Sequence, residues 1–380
     1  MVFRLPQELV DLVIDFMAED SLSPLPNCAL VCRSWLPRSR SHLFEDCPRL
    51  LDSNTIPVFR DLLQSPHCTF RSHIRMLLFS RWEPHDHSTN EILLAAGLHR
   101  LKNVRTLHVH VFMPKEIEAM DLNSFRAEFL MAFGNFPAVT SLRFSSHIRN
   151  DQRLPLIELV SSFSALKKLT ICEMPGFEPY SPSSVMLMPP QRLRCLHLLA
   201  EAPGPVLAWL HAAEHLPQVD SITLYNLRSE HIEIVRAALQ QVGSALRHLE
   251  ITLNILFQST GVDTLALFDL SLHPELEVLN IRDSSSGSSQ DFGPEQVLPF
   301  MTTLTAPKLE KLVLEVNPWL YGPSDWTEMD ALLCSAHFPC LQSVILAPKD
   351  YTRVEVHERL RAALPLLDAG GLLQPGVRPW

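Results

Sequence analysis

What this chain lacks narrows its chemistry first. None of its 380 residues forms a glycine-rich loop that could cradle phosphate, a Gly-x-Ser-x-Gly nucleophile elbow or a His-Glu-x-x-His helix. No apolar run approaches the roughly 18 residues a membrane-spanning helix needs. Charged residues make up only 19% and leave a net charge of −10, so the basic footprint of a phosphate-backbone binder is missing and no nucleic-acid partner is expected. Met1-Val2-Phe3-Arg4 runs straight into an apolar helix and leaves no room for a signal peptide, which predicts a cytoplasmic or nuclear protein. The eight cysteines fall one or two at a time inside apolar patterns. Neither Cys28/Cys32 nor Cys334/Cys340 has zinc-ribbon spacing, and reduced core residues are expected.

Histidine is plentiful, at 17, but scattered. His85-Asp86-His87, with His67 and His73 nearby in sequence, is the one grouping with metal-ligand character, and it reads as a solvated polar loop. His108 and His110 alternate on one strand and face the same way without a third donor. No metal, cofactor or catalytic constellation is expected.

The 46% of residues that are hydrophobic are strongly patterned. Pro6 with Gln7 and Glu8 opens a helix to about Met17, and Leu9, Val10, Leu12, Val13, Ile14, Phe16 and Met17 give it more apolar surface than one stripe. A second helix is expected to start after Ser21 or Ser23, with Pro24 and Pro26 in its first turn, and to end near Val31 and Cys32. A third carries Trp35 to Phe44. Three short helices cannot enclose this surface alone, which implies a partner.

In order and spacing, Leu5-Pro6-Gln7-Glu8-Leu9-Val10, Ile14, Cys28, Leu30-Val31-Cys32-Arg33-Ser34-Trp35 and Leu43-Phe44 resemble an F-box. The resemblance implies binding to a Skp-type adaptor and, through it, to a cullin. It carries Leu5, Pro6, Ile14, Val31 and Trp35 over as adaptor-binding positions. The other reading of this segment is a helical cap on the repeats behind it.

Residues 53–64 read as a linking helix. Beyond it a phrase of the form apolar, two others, apolar, one other, apolar recurs ten times, beginning at Ile74/Leu77/Phe79 and ending at Leu341/Val344/Leu346. Its middle residues lie between 26 positions apart (Leu196 to Ile222) and 35 apart (Leu107 to Leu142). The end of each phrase alternates as a short strand does. Helical stripes fall between copies, at 125–133, 156–163, 206–213, 232–242, 265–272, 297–304 and 326–336. Pro137, Pro217, Pro274, Pro307 and Pro339 each precede a phrase by two residues, where they are expected to stop the helix and leave the chain extended. Residues 353–367 read as one closing helix with Leu360, Leu364 and Leu367 inward, followed by Gly370-Gly371 and a tail.

The array resembles degenerate leucine-rich repeats, as found behind F-boxes in large fungal families; Asn254 and Asn317 match the family's turn asparagine. The resemblance implies an α/β fold in which a three-helix F-box is followed by a horseshoe solenoid, with parallel strands inside and helices outside. A doubly wound α/β sheet is the competing architecture. The expected segments are 1–50 for the F-box, 51–70 for the link, 71–350 for the repeats and 351–380 for the cap and tail.

If the phrase's apolar residues point inward, Leu78, His108, Arg143, Thr170, His197, Thr223, Glu250, Asn280, Val313 and Ile345 point outward, flanked by Lys168, Tyr225, His248 and Arg282. From these, His108, Arg143, Lys168, His197, Tyr225, Glu250 and Arg282 are the candidate substrate-binding residues; solvation of an exposed sheet is the alternative. The resemblances together imply a non-catalytic substrate-recognition subunit of a Skp-cullin-F-box ubiquitin ligase, binding a protein substrate of unknown identity, with neither membrane nor nucleic acid as partner. The alternative function is a repeat scaffold whose F-box is vestigial.

Overall fold

Residues 5–21, 23–45, 49–50, 55–66, 68, 70–82, 101–112, 127, 133, 136–147, 156–172, 187–199, 202–225, 227, 229–253, 270–283, 294–314, 318–346 and 354–374 are described by a computed structural model. The chain forms two compact units, Met1–Glu178 with Pro190–Arg192, and Pro179–Pro189 with Leu193–Trp380. Among the described residues no helix is long and apolar enough to cross a membrane.

The first unit opens with α1 (Gln7–Asp20), α2 (Leu25–Val31) and α3 (Leu36–Glu45). Pro24 precedes α2 and Pro26 lies in its first turn, where a missing N–H costs no helical bond. The Cys28 N–H closes that turn on the Pro24 carbonyl at 3.1 Å. The linking helix α4 (Thr55–Gln64) is joined to its neighbours by aromatic rings. Phe44 of α3 stacks on Phe70 at 4.1 Å, and Phe70 lies 6.5 Å from Phe59 of α4. The Arg71 guanidinium donates to the Leu63 carbonyl at the end of α4.

Strand order follows chain order. In the first unit β1 (Arg49–Leu50), β2 (Met76–Trp82), β3 (Thr106–Phe112), β4 (Ser141–His147) and β5 (Lys168–Cys172) pair in sequence, all parallel, with α5 (Leu156–Ser161) between the last two. The second unit continues the scheme with β6 (Cys195–Leu199), α6 (Pro203–Ala212), β7 (Ser221–Tyr225), α7 (Ile232–Val242), β8 (His248–Leu253), β9 (Val278–Asp283), α8 (Pro294–Thr303), β10 (Lys311–Leu314), α9 (Pro323–Leu333) and β11 (Ser343–Leu346). Each strand from β6 to β11 bonds to the next in parallel. A mixed α/β fold with parallel strands in chain order is therefore present in each unit. The helix expected at 125–133 lies outside the described residues apart from 127 and 133, where Phe133 is buried 4.8 Å from the Phe79 ring. Of 265–272 only Leu270–Leu272 is described, as a single 3-10 turn. Asn254, Asn317 and residues 375–380 also lie outside.

Every apolar position of the ten phrases is buried, from Ile74 at 0% exposure to Leu341 at 8%. The entry to each strand is a tight turn. Val139, Leu166, Val219, Leu276, Leu309 and Leu341 each donate their N–H to the carbonyl three residues back, at 2.9–3.2 Å. The prolines that precede the phrase sit at the second position of such turns, where a fixed φ favours a bend. They turn the chain rather than leave it extended, which corrects the sequence expectation.

The next bond repeats from copy to copy. The Arg75 carbonyl accepts the N–H groups of both Arg105 and Thr106, at 2.7 and 3.0 Å, and the Arg105 carbonyl accepts those of Thr140 and Ser141. The same forked acceptor recurs at Arg194, Asp220, Arg247, Glu277 and Glu310. Histidines complete several turns. His215 Nε2 donates to the Leu193 carbonyl at 3.0 Å, His273 Nδ1 to Gly243 at 2.7 Å and His337 Nε2 to Leu304 at 2.7 Å, each reaching back one copy.

The closing element differs from one continuous helix. Leu364 leaves the helical region (φ −124°, ψ 60°), and Pro365 starts a separate helix, so the segment divides into α10 (Val354–Ala363) and α11 (Pro365–Ala369). Leu360, Leu364 and Leu367 are buried as expected. Gly371 then takes a positive φ of 67°, and Leu373–Gln374 forms a last strand, β12, against β11. The buried Asp330 of α9 holds this end: its carboxylate accepts the Leu366 and Leu367 N–H groups at 2.8 and 2.9 Å, capping α11 from outside its own chain segment. Asp330→Ala is expected to weaken the closure by about 2 kcal/mol, because two backbone donors, that of Leu367 buried, lose their acceptor. Amide exchange should accelerate over 360–374 and stay unchanged in β8; unchanged protection at Leu366 and Leu367 would contradict the role.

Candidate interaction surfaces

Two apolar stripes run along α1. Val10 and Ile14, one turn apart, are buried with Leu25 of α2, and Ala18, Trp35 and Leu43 pack against them. Leu9, Leu12, Val13 and Phe16 form the second stripe and face solvent, Leu12 at 62% and Phe16 at 70% exposure. Leu30, at 83%, and Val31 are exposed at the end of α2, and Leu5 and Pro6 before α1. Gln7 Nε2 donates to the Ser34 carbonyl at 3.0 Å, which draws the start of α1 to the turn after α2. Together these side chains expose a concentrated apolar surface on the outer side of the helices.

The placement corrects the carried-over set. Ile14 is completely buried, so it supports the bundle and cannot meet a partner. Trp35 is half-buried against the same core, whereas Leu5, Pro6 and Val31 are open. Leu9, Leu12, Val13, Phe16 and Leu30, which the carried-over set omits, are exposed. On α1 the spacing of the first four at i, i+3, i+4 and i+7 places them on one side.

Charge supports the rotation that keeps these stripes apart. Arg38 of α3 donates Nε and Nη2 to the two Asp15 oxygens at 2.6 and 2.7 Å, and His42 Nε2 lies 2.7 Å from Oδ1. The Arg38 hydrogen bond, ahead of the His42 contact, holds the Asp15 carboxyl down at about 2.

On the strands the outward residues align as expected. His108 faces Leu78 and Arg143, and Arg143 faces Thr170. In the second unit the row runs through His197, Thr223, Glu250, Asn280, Val313 and Ile345 to Gln374. Alternation did not predict depth: Thr170, Asn280 and Val313 are buried. Glu250 is engaged from both sides, with Tyr225 Oη and Asn280 Nδ2 donating to its Oε1 at 3.0 and 2.9 Å and His197 packed 5.0 Å from the Tyr225 ring. These residues form one polar cluster rather than a solvated row. Arg143, Lys168 and His248 are exposed. Burial first, and then the Arg143 charge, push the His108 pKa below its ordinary value. Arg282 lies opposite Thr252 in β9, with its side chain outside the described residues.

Among the described residues no three metal-ligating side chains converge. His67 and the His85-Asp86-His87 loop lie outside them, and His73 is half-buried. The described cysteines are free, but only Cys28 is buried; Cys32, Cys334 and Cys340 are exposed, against the expectation of core residues. No family model matches the chain, and no curated protein matches it in sequence.

Acid should loosen the bundle before the strands. The folded Asp15 pKa lies below the unfolded one, so the clamp contributes fully above the ordinary carboxylate range and is lost as pH falls toward about 2. Asp15→Asn is expected to remove about 1 kcal/mol at neutral pH and flatten that acid dependence, since the pair is partly solvated. Urea unfolding followed by amide exchange of α1 to α3 at pH 7 and pH 3 measures both; equal acid sensitivity in wild type and variant would contradict the clamp.

Proposed function

We propose that the chain is the substrate-recognition subunit of a Skp-cullin-F-box ubiquitin ligase. In this reading α1 to α3 are the F-box, and the repeats are a leucine-rich-repeat horseshoe that presents its strand face to a protein target. The carrying observation is the exposed apolar stripe of α1, continued by Leu5, Pro6, Leu30 and Val31, on helices that carry the F-box pattern. A solenoid cap needs a polar outer face, and here the outer face of α1 is apolar. The aromatic contacts Phe44, Phe70 and Phe59 tie the helices to the first repeat. The chain performs no chemistry itself: it raises the effective concentration of a target lysine near ubiquitin carried by other subunits.

Capture of a Skp-type adaptor by the full-length chain tests the proposal. Leu12→Asp with Phe16→Asp is expected to abolish capture while circular dichroism stays native, because both side chains are solvent-exposed. Ile14→Ala instead is expected to cost about 2–4 kcal/mol of bundle stability. An intact, folded chain that captures no adaptor would sink the proposal.

A further inference from the structure

Successive turns of the array stack the residue that follows the first apolar position of each phrase into a column at the strand entrance. In the second unit Arg194 and Arg247 of this column each pair with an acid one copy on, and Lys308 beside it with an acid one copy back. Arg247 Nη1 lies 2.7 Å from Glu277 Oε1, Arg194 Nη1 3.9 Å from Asp220 Oδ2, and Lys308, one residue before its phrase, 2.6 Å from Glu275. In the first unit the column reads Arg75, Arg105, Thr140, Lys167. Segments 70–82, 101–112, 136–147 and 163–172 contain no Asp or Glu at all.

Among the described residues, none of Arg75, Arg105, Arg143, Lys167 and Lys168 has an ion-pair partner. All but the half-buried Arg75 are exposed. Arg143 and Lys168 stand on the outward face of β4 and β5, with Arg105 and Lys167 at the entrance beside them. This is a local inversion in a chain of net charge −10. Within the face, burial first and then the Arg143 charge oppose protonation of His108.

We infer that the strand face of the first unit, across β3 to β5, binds a carboxylate-rich segment of a partner protein, with Arg143 and Lys168 as central contacts and Arg105 and Lys167 as flanking ones. The inference rests on the strand face being the target-binding surface of the proposed function. A short acidic segment suits the face because it needs only local neutralisation within a Debye length of about 10 Å. A long polyanion must also approach the net negative charge of the whole molecule.

The test is fluorescence anisotropy of a labelled peptide of alternating Glu and Gly, titrated with the full-length chain at low and physiological ionic strength. Saturable, salt-weakened binding is expected, reduced at least about tenfold by Arg143→Glu with Lys168→Glu and unchanged by Lys308→Glu in the second unit. The double variant should keep the wild-type melting curve, since both substituted face residues are exposed. Absence of peptide binding, equal loss in Lys308→Glu, or tighter binding of single-stranded RNA lost in the same double variant would each overturn the inference. Adaptor capture is measured on the same preparations. Peptide failure with capture intact overturns the acidic-partner inference alone; peptide binding without capture supports it and overturns the ligase reading.

Discussion

The forked carbonyl that recurs at the strand entrances within each unit is the bond on which the array depends. Because the carbonyl of one copy accepts two N–H groups of the next, strands joined in this way enter at a fixed height relative to each other. A one-residue slip would turn each apolar pair, such as Leu249 and Ile251, out of the core and its polar neighbour into it. The tight turn before the phrase delivers the N–H groups, and His215, His273 and His337 engage carbonyls one copy back. The logic also explains the short end strands. Arg49–Leu50 in the first unit pairs the edge of β2, and Leu373–Gln374 in the second pairs the edge of β11, covering backbone that would otherwise be unpaired.

The repeated phrase was legible because its three apolar positions serve one purpose in all ten copies. The two end strands were not, since two residues carry no periodicity. The break at Leu364 was hidden for a related reason: Leu360, Leu364 and Leu367 keep the inward pattern of a single helix while Pro365 restarts the backbone on the Asp330 cap. Outward direction was readable, but depth was not. Asn280 points away from the core and is still covered, because the strand beside it supplies Glu250 as its partner.

In the helical unit, the surplus of apolar residues was visible in the sequence, whereas their division into inside and outside was not. Either stripe of α1 satisfies helical spacing. The observed rotation brings Asp15 across to Arg38 and His42 on α3, which hold it. Asp15 lies about 100° around the helix from Ile14, so once its carboxylate is anchored, Val10 and Ile14 turn toward Leu25 and the Leu9-to-Phe16 stripe turns away. A polar contact thus reinforces the side of the helix that is buried.

Stacking at a fixed height also gives charge a direction. Residues at one phrase position recur about 4.8 Å apart on neighbouring strands, so whatever sign stands there is repeated as a column. Alternating signs let the column neutralise itself, as Arg247 and Glu277 do. Repeating one sign leaves a field that adds from copy to copy, as with Arg75 and Arg105. Both arrangements are compatible with the same buried phrase, because the column lies outside the core. Packing therefore places no constraint on that choice. The backbone ladder fixes where the charges stand, and the identity of each exposed residue alone determines what the surface can attract.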